Sequence, residues 1–400
     1  MLFRKWGEFM KNKSDRKLNI AMFGHKRIPS REGGIEVVVM ELSTRMAALG
    51  HSVTCFNRSG HHVSGQEYDE ERVSEYKGVK LKNVLTLDRT GLAAITASVS
   101  AAIRTAFGKF DVVHIHAEGP AFMCWLPKML GKHVIVTIHG LDWARAKWGK
   151  LASWYIKSGE KNAVKYADQI IVLSKGVQDY FRDTYHRDTV FIPNGVNKPE
   201  IKKACEIEKR WGLQKDGYVL FLGRLVPEKG VHYLVEAWKN IRTDKKLVIV
   251  GGSSDTQDYM DRLKSLAGHD MIFTGFQQGQ VLEEMYSNAY VYVLPSDLEG
   301  MPLSLLEAMS YGNCCLVSSI EECTQVTEDH AVVFEKGNIQ DLRNKLQELL
   351  DHPQEVKKYQ DAASAYICDK YSWDDVVSRT VSLYQDSMAR LDRHENKPAM

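Results

Sequence analysis

A chain of 400 residues is too long for one hydrophobic core and suits two domains of roughly 100–200 residues each. Its 44% hydrophobic and 26% charged residues are those of an ordinary soluble globular protein, and no run approaches the roughly 18–20 apolar residues of a membrane span. Seven cysteines without regular spacing argue against a disulfide framework or a zinc site, which points to the reducing cytoplasm, and net charge +2 leaves the balance near neutral.

The start, Met1-Leu-Phe-Arg-Lys-Trp-Gly-Glu-Phe-Met-Lys11, has no apolar signal core, so residues 1–17 read as a basic, aromatic-containing tail. Leu18 to Gly24 is a short apolar run ending at glycine, followed by a loop with Gly33 and Gly34 and a helical pattern from Ile35 to Leu49. Ser52–Phe56, Asp111–His116, His133–Ile138 and Gln169–Leu173 continue a series of β-branched runs, apolar on both faces as strands covered by helices must be. Gly91 to Ala106 reads as a small-residue apolar helix that lines an acceptor path or simply buries.

The segment Leu141 to Lys157 interleaves Trp143, Trp148, Trp154 and Tyr155 with Arg145, Lys147, Lys150 and Lys157. Basic residues with interfacial aromatics suit a helix lying on a membrane surface. The same pattern describes a helix packing its rings on a sheet, and that reading is favoured for Trp154 and Tyr155. Ile192-Pro-Asn-Gly-Val-Asn-Lys-Pro199 is turn-rich and precedes a helix-like segment from Glu200 to Trp211, which places a domain boundary there.

The second half repeats the plan. Gly217–Gly223, Lys246–Val250, Met271–Phe273, Tyr290–Leu294 and Cys315–Val317 alternate with helices, among them Val231–Ile241. Helices near Ile339–Leu350, Pro353–Lys370 and Trp373–Leu391 and a polar tail close the chain. The fold class is therefore α/β, with two doubly wound parallel sheets. The domains run 18–199 and 200–372, with 373–400 as a C-terminal helix that packs back on the first domain and a polar tail.

Residues 1–200 hold 30 Lys and Arg against 20 Asp and Glu, whereas residues 201–400 hold 23 against 31. A basic half joined to an acidic half suits one domain facing an anionic surface or ligand. Nucleic acid is disfavoured, because no helix-turn-helix, zinc or RNA-binding signature accompanies the charge.

In doubly wound sheets, ligands bind beyond the carboxyl ends of the strands. Gly223-Arg224-Leu-Val-Pro-Glu-Lys229-Gly230 sets two cations before a helix, a place that is unfavourable for them unless an anion is bound. Thr274-Gly275-Phe276 offers an approachable backbone and an aromatic face. Asp297-Leu-Glu299-Gly-Met-Pro-Leu-Ser-Leu-Leu-Glu307 places one carboxylate before a helix and one inside its first turns. Carboxylates accept hydrogen bonds from vicinal hydroxyls, and free N–H groups at the helix start attract phosphate. The bland reading is a capped helix with Glu307 on its solvated face. No Asp-x-Asp pair occurs, so no metal–diphosphate bridge of that kind has its ligands, and no metal or cofactor is expected. His114 and His116 alternate on one strand and read as buried or cleft-lining histidines, since a structural zinc site generally needs four ligands. His61-His62 reads as a loop pair.

These motifs resemble the retaining GT-B-fold glycosyltransferases of the family 4 type. The resemblance rests on Gly33-Gly34, Thr137-Ile-His139-Gly140, Val172-Leu-Ser174, Ile192-Pro-Asn194-Gly195-Val, Gly223-Arg224…Lys229-Gly230, and Glu299 with Glu307-Ala-Met, in that order. It implies two Rossmann-like domains facing a central cleft, with a nucleotide-sugar donor held mainly by the second. By position, Arg224 and Lys229 would hold the diphosphate, Glu307 the ribose and Glu299 the transferred sugar. Gly300, Met301, Leu303 and Ser304 would complete the donor site, Gly275 and Phe276 would meet the base, and His139 would lie beside the sugar. His139, Glu299, Arg224 and Lys229 are the expected catalytic residues, and Gly33 and Gly34 would approach phosphate and acceptor. The implied acceptor is a glycan or lipid-linked saccharide of a bacterial surface polysaccharide, with the enzyme cytoplasmic or peripheral on the inner membrane face.

Two departures stand out. Pro302 removes an N–H donor near the sugar, and Cys314 replaces a common proline. A non-catalytic partner subunit and a sugar-nucleotide epimerase remain as alternatives, the latter with only Glu32 and Glu36 near the Gly-Gly loop for acid–base work. A dinucleotide dehydrogenase fails, because Gly24 to Gly34 lacks the Gly-x-Gly-x-x-Gly spacing.

Overall fold

The computed structural model describes residues 16–60, 73–87, 92–144, 149–252 and 256–395. Most of the N-terminal tail, His61 and His62, and Arg145, Lys147 and Trp148 of the aromatic–basic segment lie outside the described residues.

The first domain is built on β1 (Asn19–Phe23), β2 (Ser52–Arg58), β3 (Glu75–Tyr76), β4 (Val79–Val84), β5 (Val112–His116), β6 (His133–Ile138), β7 (Gln169–Val172) and β8 (Val190–Phe191). Their order is β3-β4-β2-β1-β5-β6-β7-β8, parallel except for the β3–β4 pair. The second domain uses β9 (Tyr218–Leu222), β10 (Lys246–Val250), β11 (Met271–Gly275), β12 (Val291–Leu294), β13 (Cys314–Ser318) and β14 (Val332–Phe334), ordered β11-β10-β9-β12-β13-β14. Within each sheet the strand order reverses beside the first strand. β1 pairs with both β2 and β5, and β9 with both β10 and β12. Those switch points leave crevices at the carboxyl ends of β1 and β9. The fold is the expected pair of doubly wound α/β domains.

Strands buried on both faces were legible as apolar runs. β5 and β6 are buried at every position, with Val113, Ile115, Val134 and Val136 in one cluster and Val112 and Ile135 in the other. β4 escaped that reading because it is an edge-side strand with one wet face, alternating buried Val79 and Leu81 with exposed Lys80 and Lys82. The helix expected from Glu200 to Trp211 forms only over Glu206–Trp211. Residues before it are held extended by a neighbour: Lys202 N–H donates to Ser287 Oγ at 3.0 Å and Asn288 Nδ2 donates to Lys202 O at 3.0 Å. Glu284 then accepts from Cys205 N–H at 2.9 Å and Ile207 N–H at 3.1 Å, starting the helix there.

Helix Pro353–Lys370 packs into the second core through Val356, Ala363 and Ile367. Helix Trp373–Glu395 then crosses to the first domain, where Trp373, Val376, Val377 and Tyr384 join the cluster over β1, β2 and β5. Burying each such side chain contributes roughly 1.5–3 kcal/mol, so this helix is a structural part of the first domain. The crossing lies beside the linker. Val196 N–H donates to Tyr371 O at 2.7 Å, and a Cβ on Gly195 would meet Trp373 N at 2.6 Å.

Candidate active site

The cleft is built from strand-end loops that, at Gly24, Gly230 and Gly300, approach neighbouring backbone so closely that no Cβ fits. After β1 the chain turns at Gly24, φ +111°, where a Cβ would stand 2.0 Å from His116 O. Lys26 N–H donates to Glu36 Oε1 at 2.8 Å, and although burial raises the Glu36 carboxyl, the Lys26 charge and N–H hold it below its usual range. This anchors the loop carrying Arg31, Gly33 and Gly34 over the start of helix Gly34–Ala48. A Cβ on Gly34 would lie 3.5 Å from Leu303 Cδ1, so the loop meets the second domain there.

On the other wall, Gly230 sits at φ +64° with its Cβ position 1.9 Å from Pro295 O, and Asp297 N–H donates to Glu228 O at 2.9 Å. These contacts clamp the loop after β9 to the loop after β12. They bring Lys229 Nζ to 2.5 Å from Glu299 Oε1, which also accepts from Ser296 Oγ at 2.7 Å. The side chains of Lys229 and Glu299 are only 13% and 7% exposed. Arg224, half-buried, stands in the same loop just after β9. Gly300 is pressed against the first domain, since a Cβ there would lie 1.7 Å from His139 O. Asn194 of the linker grips the adjacent residue, donating from its backbone N–H to Met301 Sδ at 3.0 Å and from Nδ2 to Met301 O at 3.2 Å.

Glu307 lies in helix Leu303–Ser310 and pairs across the cleft with the Arg31 guanidinium, while Tyr286 donates to its Oε2 at 3.1 Å. The nearby Glu307 carboxylate raises the Arg31 pKa, and burial, then Glu307, raises that of Tyr286. A cavity of about 360 Å³ opens between the domains at this pair, lined also by Glu41, Lys202, Tyr311 and Trp373. Ser304 is turned inward, accepting from Tyr292 at 2.8 Å. Gly275, φ +71°, is exposed with open space where a Cβ would go, and Phe276 is half-buried beside it, at the end of the edge strand β11.

The expected residues therefore meet in groups: His139 with Gly300, Lys229 with Glu299, Gly34 with Leu303, and Glu307 at the domain boundary. Gly275 and Phe276 lie at the end of the edge strand β11, where Gly251 N–H donates to Gly275 O at 2.9 Å and a Cβ on Gly251 would stand 1.8 Å from Gly223 O, next to Arg224. Arg31, Asn194, Ser296 and Tyr286 were missed. Asn194 lies in a motif already singled out, and Arg31 is the cation two residues before the Gly-Gly loop, but what each touches comes from the other domain.

Behind His139 lies a histidine column. His116 Nδ1 is 3.1 Å from His139 Nε2, the His114 and His116 ring centroids lie 4.1 Å apart at a tilt of 33°, and Tyr384 meets His114 Nδ1 at 2.6 Å. Burial pushes the His114 pKa down to about 3 and that of His116 well below the usual histidine range. Among the described residues, no three His, Cys, Asp or Glu side chains are grouped to hold a metal ion.

Two facing doubly wound sheets, with cations and carboxylates gathered at the strand ends between them, define a GT-B architecture. Residues 32–198 match the model of Glycosyltransferase Family 4, and residues 205–367 match that of Glycosyl transferases group 1. The chain belongs to the family 4 type of GT-B glycosyltransferases. It is 26% identical to an uncharacterised glycosyltransferase of Methanocaldococcus jannaschii over 94% of this chain and 100% of the other. It is 30% identical to the UDP-Gal:alpha-D-GlcNAc-diphosphoundecaprenol alpha-1,3-galactosyltransferase of Escherichia coli over 61% of this chain and 67% of the other. The fold is similar to that of sucrose-phosphate synthase from Thermosynechococcus elongatus, at TM-score 0.79 and 20% identity over 94% of this chain and 100% of that one.

Proposed function

We propose that this glycosyltransferase moves a hexosyl or deoxyhexosyl unit from a nucleotide sugar to a glycan or lipid-linked saccharide, with retention of anomeric configuration and without a metal, in assembly of a cell-surface polysaccharide. The observation that carries the reading is the Lys229–Glu299 pair set against the His139–Gly300 contact. A cation for departing phosphate and a carboxylate for the sugar stand where the two domains close.

In this reading the bond between the anomeric carbon and the diphosphate oxygen breaks as the acceptor oxygen bonds to that carbon on the same face. The acceptor proton passes to the departing phosphate. The anomeric centre passes through an oxocarbenium-like state, whose positive charge Glu299 stabilises. Lys229 and Arg224 stabilise the growing charge on the diphosphate. Glu307 serves the ribose once a ligand displaces Arg31. The epimerase alternative is weakened, because Glu36 is buried and already accepts from the Lys26 N–H. A lipid-linked acceptor is supported by the Escherichia coli relative, whose name states a diphosphoundecaprenol-linked one.

The reading includes peripheral contact with anionic lipid. Among the described residues no helix is long and apolar enough to cross a membrane. On helix Lys150–Tyr166, Leu151 and Trp154 are 79% and 64% exposed, so Trp154 does not pack on the sheet as expected. Tyr155 does pack inward, 4.9 Å from the Phe122 ring, and Lys157 is held 3.8 Å over the Trp143 ring and 3.1 Å from Glu160. A second basic surface adds support: Lys80, Lys82, Arg104 and Lys109 line an open groove of about 530 Å³ beside Phe107, which is 77% exposed.

Turnover of a panel of nucleotide sugars, with and without a lipid-linked saccharide and in excess chelator, tests the reading. A product with the donor's anomeric configuration, formed in chelator, is the expected result. An inverted product, or activity that returns only with magnesium, would refute retention or metal independence.

A further inference from the structure

His114 and His116 stand two residues apart on β5, so both point to the face of the first sheet that helix Trp373–Glu395 covers. Their protons can be assigned by elimination. The buried Tyr384 hydroxyl has one proton, and among the described residues its hydrogen-bond partner is His114 Nδ1 at 2.6 Å. Tyr384 is thus the donor and Nδ1 the acceptor. His114, kept neutral by burial, then carries its proton on Nε2 and donates to Thr137 Oγ1 at 2.7 Å.

His116 is decided by its other ring nitrogen. One proton lies between His116 Nδ1 and His139 Nε2, which are 3.1 Å apart. Were it to belong to His139, the neutral His116 ring would carry its own proton on Nε2. That atom is buried and, among the described residues, has no hydrogen-bond partner. A buried N–H with no acceptor is rarer than an unmatched acceptor, and burying a polar group unpaired is costly. The proton therefore sits on His116 Nδ1, leaving only a lone pair at the orphaned Nε2. His139 Nε2 is then an acceptor, whatever surrounds the rest of that ring.

We propose that His116 is a positioning residue for the transfer reaction: its Nδ1–H holds the His139 ring by Nε2 and fixes the His139 proton on Nδ1. Whatever His139 meets through Nδ1, it meets as a hydrogen-bond donor and not as a base. A donor suits a hydroxyl of the sugar or an oxygen of the departing phosphate, and it leaves the acceptor's proton to the phosphate. The role of His116 rests on the glycosyl-transfer reading of the cleft, but the proton assignment is measurable without any substrate.

The full chain labelled with ¹⁵N-histidine, with His139→Gln and His116→Asn variants to assign resonances, reports both tautomers in the ligand-free protein. Protonated Nδ1 and bare Nε2 are expected at both His116 and His139. An Nε2-protonated His139 in the folded wild-type chain would overturn the proposal, even if no tested nucleotide sugar is turned over. Once a donor is known, His116→Asn, whose amide nitrogen can stand near the position of Nδ1, is expected to keep most of kcat. His116→Phe is expected to lose roughly 10- to 100-fold in kcat with nucleoside-diphosphate affinity unchanged. Wild-type kcat in a folded His116→Phe, or equal losses in both variants, would remove the positioning role.

Discussion

Lys229 and Glu299 are seventy residues apart in sequence, yet Nζ and Oε1 lie 2.5 Å from each other at the meeting of two strand-end loops. The pair is nearly out of solvent, so each charge depends on the other. Removing one partner of such a pair is costly, whereas removing both is far milder. Lys229→Ala is therefore expected to lower stability by about 3 kcal/mol, and Lys229→Ala with Glu299→Gln to recover most of that. Urea denaturation of the wild type, Lys229→Ala, Glu299→Gln and the double variant measures the coupling. Additive losses would mean the pair is not formed in solution. In both Lys229→Ala and Arg224→Ala, nucleoside-diphosphate binding should weaken by roughly 1.5–3 kcal/mol for each lost charge-assisted contact.

The two glutamates are expected to separate by kinetic signature. Glu307 is engaged by Arg31 and Tyr286 beside the interdomain cavity, whereas Glu299 faces Lys229 and Ser296. Glu307→Gln should weaken bare nucleotide binding, and Glu299→Gln should lower kcat while sparing it. Calorimetry beside steady-state kinetics distinguishes them. The reverse pattern would mean that the ligand lies the other way round in the cleft.

Gly300 tests the domain contact itself. A methyl group there would collide with the His139 carbonyl oxygen, which lies 1.7 Å from the Cβ position, and both atoms belong to closely held backbone. Gly300→Ala is expected to separate the walls by about 1 Å and to cost roughly 100-fold in kcat, since misplacement of that size is enough. Nucleoside-diphosphate affinity should fall much less, because the cations lie in the second domain. Wild-type kcat in this variant would mean that the closed arrangement is not the reactive one.

The paired sheets were legible because strands covered on both sides must be continuous apolar runs, and ten of them stand out between Leu18 and Val317. What escaped was one-sided or short: β4 with its exposed lysines, the two-residue β3 and β8, and the three residues of β14. The grouping of candidate residues was legible where they share a loop, as Arg224 and Lys229 do after β9. It was not legible where the partner comes from the other domain. Nothing local in Arg31-Glu-Gly-Gly says that the guanidinium will reach Glu307, 276 residues on. Nor does the His-x-His of β5 announce Tyr384, because that contact exists only once the last helix crosses over.

A buried carboxyl gives a pH test away from the cleft. Glu118 Oε2 accepts from Asp142 N–H at 2.8 Å, and burial, with Asp142 and Glu160 nearby, raises its pKa far above the carboxylate range. The folded state therefore holds a proton that the unfolded state releases near pH 4.5. The stability this gives is complete below that value and is lost as pH rises toward the folded pKa. Between pH 7 and 8.5 the unfolding free energy measured in urea should fall, by at most about 1.4 kcal/mol per pH unit from this group. Glu118→Gln, which mimics the protonated acid, should flatten that slope. An unchanged slope in the variant would show that Glu118 is ionised in the folded chain.

The membrane reading is tested on two surfaces at once. Leu151 and Trp154 project from helix Lys150–Tyr166, and Phe107 projects beside Lys80, Lys82, Arg104 and Lys109. Protruding apolar side chains gain by entering a lipid interface, and each nearby cation adds on the order of 1 kcal/mol toward an anionic one. Sedimentation with acidic vesicles should exceed that with neutral vesicles and fall as salt rises, because salt screens the attraction. Trp154→Gln with Leu151→Gln should weaken binding through lost insertion, whereas Lys80→Gln with Lys82→Gln should weaken it through lost charge and reduce its salt dependence. None of these residues lines the cleft, so turnover of a soluble acceptor should be unchanged in both pairs. Equal sedimentation with acidic and neutral vesicles at low salt would instead assign the basic charge of the first domain to an anionic acceptor.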